Sequence, residues 1–144
     1  MPAPIDSTWD NHMHSTFSDG NASIDQMALA AIEKGLSRIT ITDHMPLPFP
    51  TRYAMKADRV HAYQAAVQNA RAAYAAHLDI QTGIEIEFVP DLAPWIQSIS
   101  EMGWDSQIVS IHRLKTPAGD YHMVNGTPEE FHRLLADFDM DAMA

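Results

Sequence analysis

Apolar positions along this chain recur with two different periods. Short runs rich in β-branched residues read as strands, and longer stretches with apolar residues three and four apart read as helices. Met1 to Thr8, with Pro2 and Pro4, form an irregular lead-in. Trp9 to His14 read as a first strand, weak at its start because Asp10 and Asn11 are poor strand formers. Ser23 to Gly35 predict a helix: Ser23 caps it with Gln26 three residues on, Met27, Ala30, Ala31 and Ile32 form a stripe, and Gly35 stops it. Arg38 to His44 predict a second strand. Pro46, Pro48 and Pro50 then forbid regular structure in the apolar loop that follows.

Asp58 to His77 predict an alanine-rich helix with no internal glycine or proline. Ile80 to Phe88 predict a third strand, and Asp91 is placed as the cap of a short helix running to Glu101. Asp105 to His112 predict a fourth strand with Ile108 to Ile111 as its core. Lys115 to Val124 read as a loop or hairpin around Gly119 and Asp120. Thr127-Pro128-Glu129-Glu130 is a strong helix start, with Phe131, Leu134, Leu135 and Phe138 as its apolar face. Strands that alternate with helices at this spacing pair in parallel through right-handed crossovers. The expected fold is α/β, and in such folds the site lies at the carboxyl ends of the strands.

Composition narrows the function classes. At 144 residues and 46% hydrophobic content, the chain is long and apolar enough for one packed domain. It has no cysteine, which excludes disulfides and thiolate metal sites. A net charge of −10 is hostile to general nucleic-acid binding. No apolar run is long enough to cross a membrane and no basic-then-apolar leader opens the chain, so a cytoplasmic location is the default expectation.

The polar residues fall where the strands end. His12 and His14, two apart on an extended segment, aim at one point, and Asp19 returns to it through a turn ending at Gly20. Asp43 and His44 end the second strand, Glu85 and Glu87 the third, and His112 the fourth. Imidazole with carboxylate suits Zn, Mn or Fe(II). Asp43 is read as a partner orienting a ligand, Glu87 as a solvated rim charge, and Arg52 and Arg113 as candidates for binding a substrate phosphate. His61, His77, His122 and His132 fall away from these positions.

The series His12-x-His14, Ser18-Asp19-Gly20, Thr42-Asp43-His44, Gly83-Ile84-Glu85 and Ser110-Ile111-His112 resembles the successive motifs of the PHP (polymerase and histidinol phosphatase) superfamily. Thr42-Asp43-His44-Met45-Pro46-Leu47-Pro48 resembles the histidinol-phosphatase branch. The resemblance implies a distorted (β/α)7 TIM-like barrel holding two or three divalent ions. His12 and His14 would hold one ion, Glu85 would bridge two, Asp19 and His44 would hold another, and His112 would join the ion opposite His12.

Family members continue for about another half-barrel and end in an Asp-x-His motif that nothing after His112 matches. The tail Asp137 to Asp141 holds no histidine, and His122 and His132 do not fit the spacing. The whole chain, residues 1–144, therefore resembles an N-terminal, truncated PHP domain, about four strands of a barrel. The rest is expected from a partner subunit, a second copy included, or else the fourth strand is left exposed and mobile. The implied function is a metal-dependent phosphatase. Metal-activated hydroxide would cleave a small phosphomonoester such as histidinol phosphate, with no covalent intermediate. Two alternatives stand beside it: an impaired metal-binding module, and a PHP-type nuclease or polymerase accessory.

Overall fold

Two helix-packed layers of side chains hold the parallel sheet that positions the site. The computed structural model of the protein describes residues 7–138, so the first six residues and Asp139 to Asp141 of the acidic tail lie outside the described residues. The elements in order are β1 (Trp9–Met13), α1 (Ile24–Glu33), β2 (Arg38–Ile41), α2 (Val60–Tyr74), β3 (Asp79–Glu87), α3 (Ala93–Ser100), β4 (Ser106–Ser110), β5 (Arg113–Lys115), β6 (Tyr121–Met123) and α4 (Pro128–Asp137). β1 to β4 form one sheet in sequence order, and every neighbouring pair is parallel. The four strands with flanking helices make a half-barrel of the TIM-like kind.

Both predicted helix starts are present as capping boxes. Ser23 with Gln26 opens α1, and Thr127 with Glu130 opens α4. α1 and α2 cover one part of the sheet, where Ile39, Ile41 and Ile80 pack with Met27, Ala28, Tyr63 and Val67. α3 covers another, where Ile84 and Ile86 pack with Ile99, Trp95 and Ile96. Tyr63 is fully buried, and its hydroxyl bridges the carbonyls of Ile41 (2.7 Å) and Gly83 (2.8 Å), tying α2 to two adjacent strands.

Gly83 has no side chain because its neighbours leave no room. A Cβ there would lie 2.6 Å from Thr42 Cγ2 and 2.9 Å from Thr40 Cγ2. Gly83→Ala is expected to overpack this spot and lower stability by about 1–3 kcal/mol, read as a drop in the urea midpoint at unchanged m-value.

Two expectations are corrected. The ladder of β2 stops at Ile41, and His44 makes only an isolated parallel bridge to Glu85, because Asp43 turns its side chain toward the loop after β1. Asp91 does not cap α3; its carboxylate takes Lys115 Nζ at 2.6 Å and the Tyr121 hydroxyl at 3.0 Å instead. The hairpin expected around Gly119 is present: β5 and β6 pair antiparallel and turn at Gly119, where φ is +98°. On the fourth strand Val109 is 65% exposed, and Ile111 just past its end is 54% exposed. Among the described elements β4 is an edge strand, and α4 packs on β6 rather than over it.

Candidate metal centre

The carboxyl ends of the four parallel strands bring together all six side chains singled out as metal donors. Glu85, near the end of β3, is only 2% exposed and lies at their centre. His14 Nε2 and His44 Nδ1 each stand 2.9 Å from Glu85 Oε2, and His12 Nε2 stands 3.4 Å from the same oxygen. His112 Nε2 is 3.5 Å from Glu85 Oε1, which also accepts the Ser110 hydroxyl. Asp19 lies on the outer side of His14 and His44, with Oδ1 2.8 Å from His14 Nδ1 and Oδ2 3.6 Å from His44 Nε2.

These contacts resolve into three groups whose donor atoms lie within 4.8 Å of one another: His12, His14 and Glu85; His14, Asp19 and His44; and His44, Glu85 and His112. Glu85 belongs to two groups, and His14 and His44 also belong to two each.

Local structure explains the convergence. A register slip between Asp10 and Met13 in the β1–β2 pairing re-aims the end of β1, as bulges do. The loop after His14 then closes tightly, with Ser18 N and Gly20 N both donating to Ser15 O at 3.1 and 3.0 Å. Gly20 is required there, since a Cβ would fall 2.0 Å from the His14 carbonyl oxygen. Asp43 is fully buried beneath this loop. It accepts Ser15 N (3.0 Å), Ser15 Oγ (2.7 Å), Ser18 N (2.9 Å) and Ser18 Oγ (2.5 Å). Asp43 therefore orders the loop carrying Asp19 rather than hydrogen-bonding a ligand ring.

The donor set fits divalent cations. Four imidazoles and two carboxylates converge without a thiolate, and Glu85 Oε2 is buried with no hydrogen-bond partner although three ring nitrogens crowd it. A buried carboxylate oxygen left without a hydrogen-bond partner among crowding ring nitrogens is what a shared cation satisfies.

The electrostatics agree. Burial pushes the Glu85 carboxyl up, but His14, His44 and Ser110 hold it well below the usual carboxylate range. Asp19 is likewise raised by burial yet held low by His14 and His44. Glu85 beside it, with Asp19, pushes the His14 imidazole up to about 9 against the opposing effect of burial. That shift gives the metal-free chain one pH-dependent contribution to stability. The folded form binds this proton more tightly than the unfolded form, whose imidazole titrates near 6.5. Its contribution to stability is therefore full below pH 6.5 and lost as pH rises to about 9. Chelator-treated protein should lose Tm across that window, while added Zn²⁺ should flatten the loss and release protons on binding.

Glu87 corrects the sequence reading. It is no rim charge but 2% exposed, with its Oε2 accepting the Tyr53 hydroxyl at 2.5 Å and its Oε1 3.0 Å from Arg113 Nε. The i+2 spacing from Glu85 put it on the right face, but the sequence carries no sign of the depth at which β3 sits. Arg113 lies against the cluster through Tyr53 and Glu87, whereas Arg52 is exposed on the loop between β2 and α2. His61, His77 and His132 are exposed on or near helices, and His122 is in β6. Tyr53, whose ring stands edge-on to His44 at 4.9 Å, was missed because a lone tyrosine in a proline-rich loop has no motif to announce it.

A parallel half-barrel with imidazoles and carboxylates gathered at its strand tips defines a TIM-like protein with the makings of a metal site. The family model described as the PHP domain matches residues 10–142, and the chain belongs to the PHP domain family.

Similar proteins share the theme. A Deinococcus radiodurans protein named as a probable histidinol-phosphatase is 31% identical over 109 residues, covering 73% of this chain and 42% of its own length. The histidinol-phosphatase of Bacillus subtilis is 29% identical over 119 residues, covering 74% and 44% respectively. The PolX DNA polymerase/3'-5' exonuclease of the same species is 39% identical over 82 residues, 57% of this chain and 14% of its own.

Among solved structures, a Lactococcus lactis histidinol phosphate phosphatase, complexed with Zn, L-histidinol and phosphate, has a TM-score of 0.64 at 22% identity, covering 88% of this chain and 49% of that one. A Listeria monocytogenes protein given the name histidinol phosphatase has a TM-score of 0.76 at 21% identity, covering 86% and 52%. The chain thus spans less than half the length of the curated histidinol-phosphatases it matches.

Proposed function

We propose that this chain carries the metal-binding part of a phosphomonoesterase whose substrate is a small phosphate ester of the histidinol phosphate type. The observation that carries the reading is Glu85: one buried carboxylate shared by two groups of imidazoles at the strand ends. In this reading His12, His14, Asp19, His44, Glu85 and His112 hold two or three ions among Zn, Mn and Fe. Bound there, such ions lower the pKa of a coordinated water and neutralise charge on the phosphate oxygens.

The chain's own residues do the rest. Ser110 donates to Glu85 Oε1 and leaves Oε2 to the imidazole side. Arg113 offers a planar guanidinium at the rim of the cluster, suited to the non-bridging oxygens of a phosphate, and Arg52, exposed on the loop between β2 and α2, is the second candidate cation. The Lactococcus protein was solved with L-histidinol and phosphate together, which supports a phosphorylated amino alcohol as the first substrate to test.

The test is to load the chain with Zn²⁺ or Mn²⁺, count ions per chain, and assay histidinol phosphate and an aryl phosphate. Bound metal with steady hydrolysis of either ester supports the phosphatase. Bound metal without hydrolysis favours a second reading, a metal-binding module that turns over only with the remainder of a barrel. A polymerase-associated nuclease is the weaker alternative, because a net charge of −10 repels the phosphate backbone. Among the described residues no helix is long and apolar enough to cross a membrane.

A further inference from the structure

Three buried side-chain atoms among the described residues lack a hydrogen-bond partner: Glu85 Oε2, Glu87 Oε1 and His112 Nδ1. The first belongs to the metal centre. The other two belong to neighbouring residues that the metal reading leaves unexplained. His112 Nδ1 lies 3.9 Å from Glu87 Oε2, while the other nitrogen of the same ring faces Glu85. Glu87 meets Arg113 on its other oxygen, and Tyr53 closes the cluster, donating its hydroxyl to Glu87 while accepting from Arg113 Nη2 at 2.7 Å. The Arg113 guanidinium also sits 5.1 Å over the ring of Phe49.

A buried ion pair adds little stability over apolar side chains of the same volume. Stability is therefore a poor account of a carboxylate buried at this spot. Its position gives a better one. A ligating imidazole needs its second ring nitrogen fixed by an outer carboxylate or carbonyl, which sets the tautomer and aims the ring. A phosphate-binding guanidinium needs its side-chain rotamers frozen to hold a two-pronged geometry. Glu87 stands where it can serve both.

Resting on the metal-phosphatase reading, we infer that Glu87 is a positioning residue: it aims His112 at the ion shared with Glu85 and, with Tyr53, holds Arg113 at the rim to receive a substrate oxyanion. With His112 Nε2 given to an ion, its Nδ1 proton would face Glu87 Oε2, now 3.9 Å away. Tyr53 donates to Glu87 Oε2, the oxygen that also faces His112, and accepts from Arg113. Tyr53→Phe removes the contact to Arg113 but leaves the Glu87 carboxylate in place beside His112, so the two roles separate by mutation.

The experiment compares the full chain with Glu87→Gln and Tyr53→Phe. It reads Co²⁺ affinity and the visible absorption of bound Co²⁺, together with kcat and KM for p-nitrophenyl phosphate. Glu87→Gln is expected to weaken Co²⁺ binding by about 10–100-fold, to alter the Co²⁺ spectrum and to raise KM. Tyr53→Phe is expected to raise KM and leave Co²⁺ affinity and spectrum unchanged. Wild-type Co²⁺ affinity and spectrum in Glu87→Gln, with only a lower Tm, overturn the proposal and make the pair structural. If Glu87→Gln does not fold, Glu87→Asp is read in the same titration. Weakened Co²⁺ binding there supports the proposal, and unchanged binding overturns it. A wild-type chain that binds Co²⁺ but cleaves no phosphate ester sinks the phosphatase reading alone, because the Co²⁺ titration still decides whether Glu87 acts on His112.

Discussion

Glu85→Gln is expected to empty two ion positions together, leaving a folded chain with little bound metal. The amide keeps the shape of the side chain but loses the charge and the second anionic oxygen, so it cannot bridge. Outer partners of metal ligands alone cost about 10–100-fold in affinity, so a shared ligand should cost at least about 100-fold. Three ring nitrogens lie within hydrogen-bonding or near-contact distance of Glu85 Oε2, and the fourth imidazole approaches Oε1. No other carboxylate reaches both the His12 and His112 sides among the groups found. Elemental analysis of the purified variant reads the stoichiometry, and circular dichroism checks the fold. Loss of a single ion would show that Glu85 serves one position and does not bridge. His12→Ala is the companion measurement. His12 has a side chain 50% exposed and belongs to one group only, so its loss should deplete one position and spare the fold.

Much of this centre is legible in the sequence because strand geometry is periodic. Residues two apart on a strand share a face, and parallel strands present their carboxyl ends together, so His12, His14, His44, Glu85 and His112 could be placed at one end before any contact was known. Asp19 followed from a turn that Gly20 permits. What could not be read was depth. Glu87 has the same spacing from Glu85 that His14 has from His12, yet one is deeply buried and the other side chain partly open. Burial depends on what covers the strand, here Tyr53 and Arg113, which arrive from a loop and a hairpin without motifs of their own. The same limit applies to β4. Val109 and Ile111 have the composition of a core, but their exposure is set by which helix lies over them, and α4 lies on β6.

Asp43 gives the second large effect, and it separates positioning from ligation. Its Oδ1 accepts Ser15 N, Ser18 N and Ser18 Oγ, and its Oδ2 accepts Ser15 Oγ. Asp43→Ala would strand the fully buried Ser15 donors and the half-buried Ser18 donors, at about 1–3 kcal/mol for each buried group left unpaired. Ser18 N retains the Ser15 carbonyl, so the sum falls short of all four donors. A loss of about 3 kcal/mol or more in urea unfolding is expected. Asp43→Asn should be far milder, about 1 kcal/mol, because an amide oxygen can replace Oδ1 while its NH2 donates to a rotated Ser15 hydroxyl.

The loop held by Asp43 delivers Asp19 to His14 and His44. Asp43→Ala should therefore weaken metal binding at that group first and leave the His12 and His112 sides nearer to wild type, although Asp43 is in none of the three donor groups. Ion counts at graded Zn²⁺ concentration distinguish the cases. A uniform loss at all positions would mean that the variant loosens the whole sheet end. Retention of every ion would mean that Asp19 finds its place without the buried anchor.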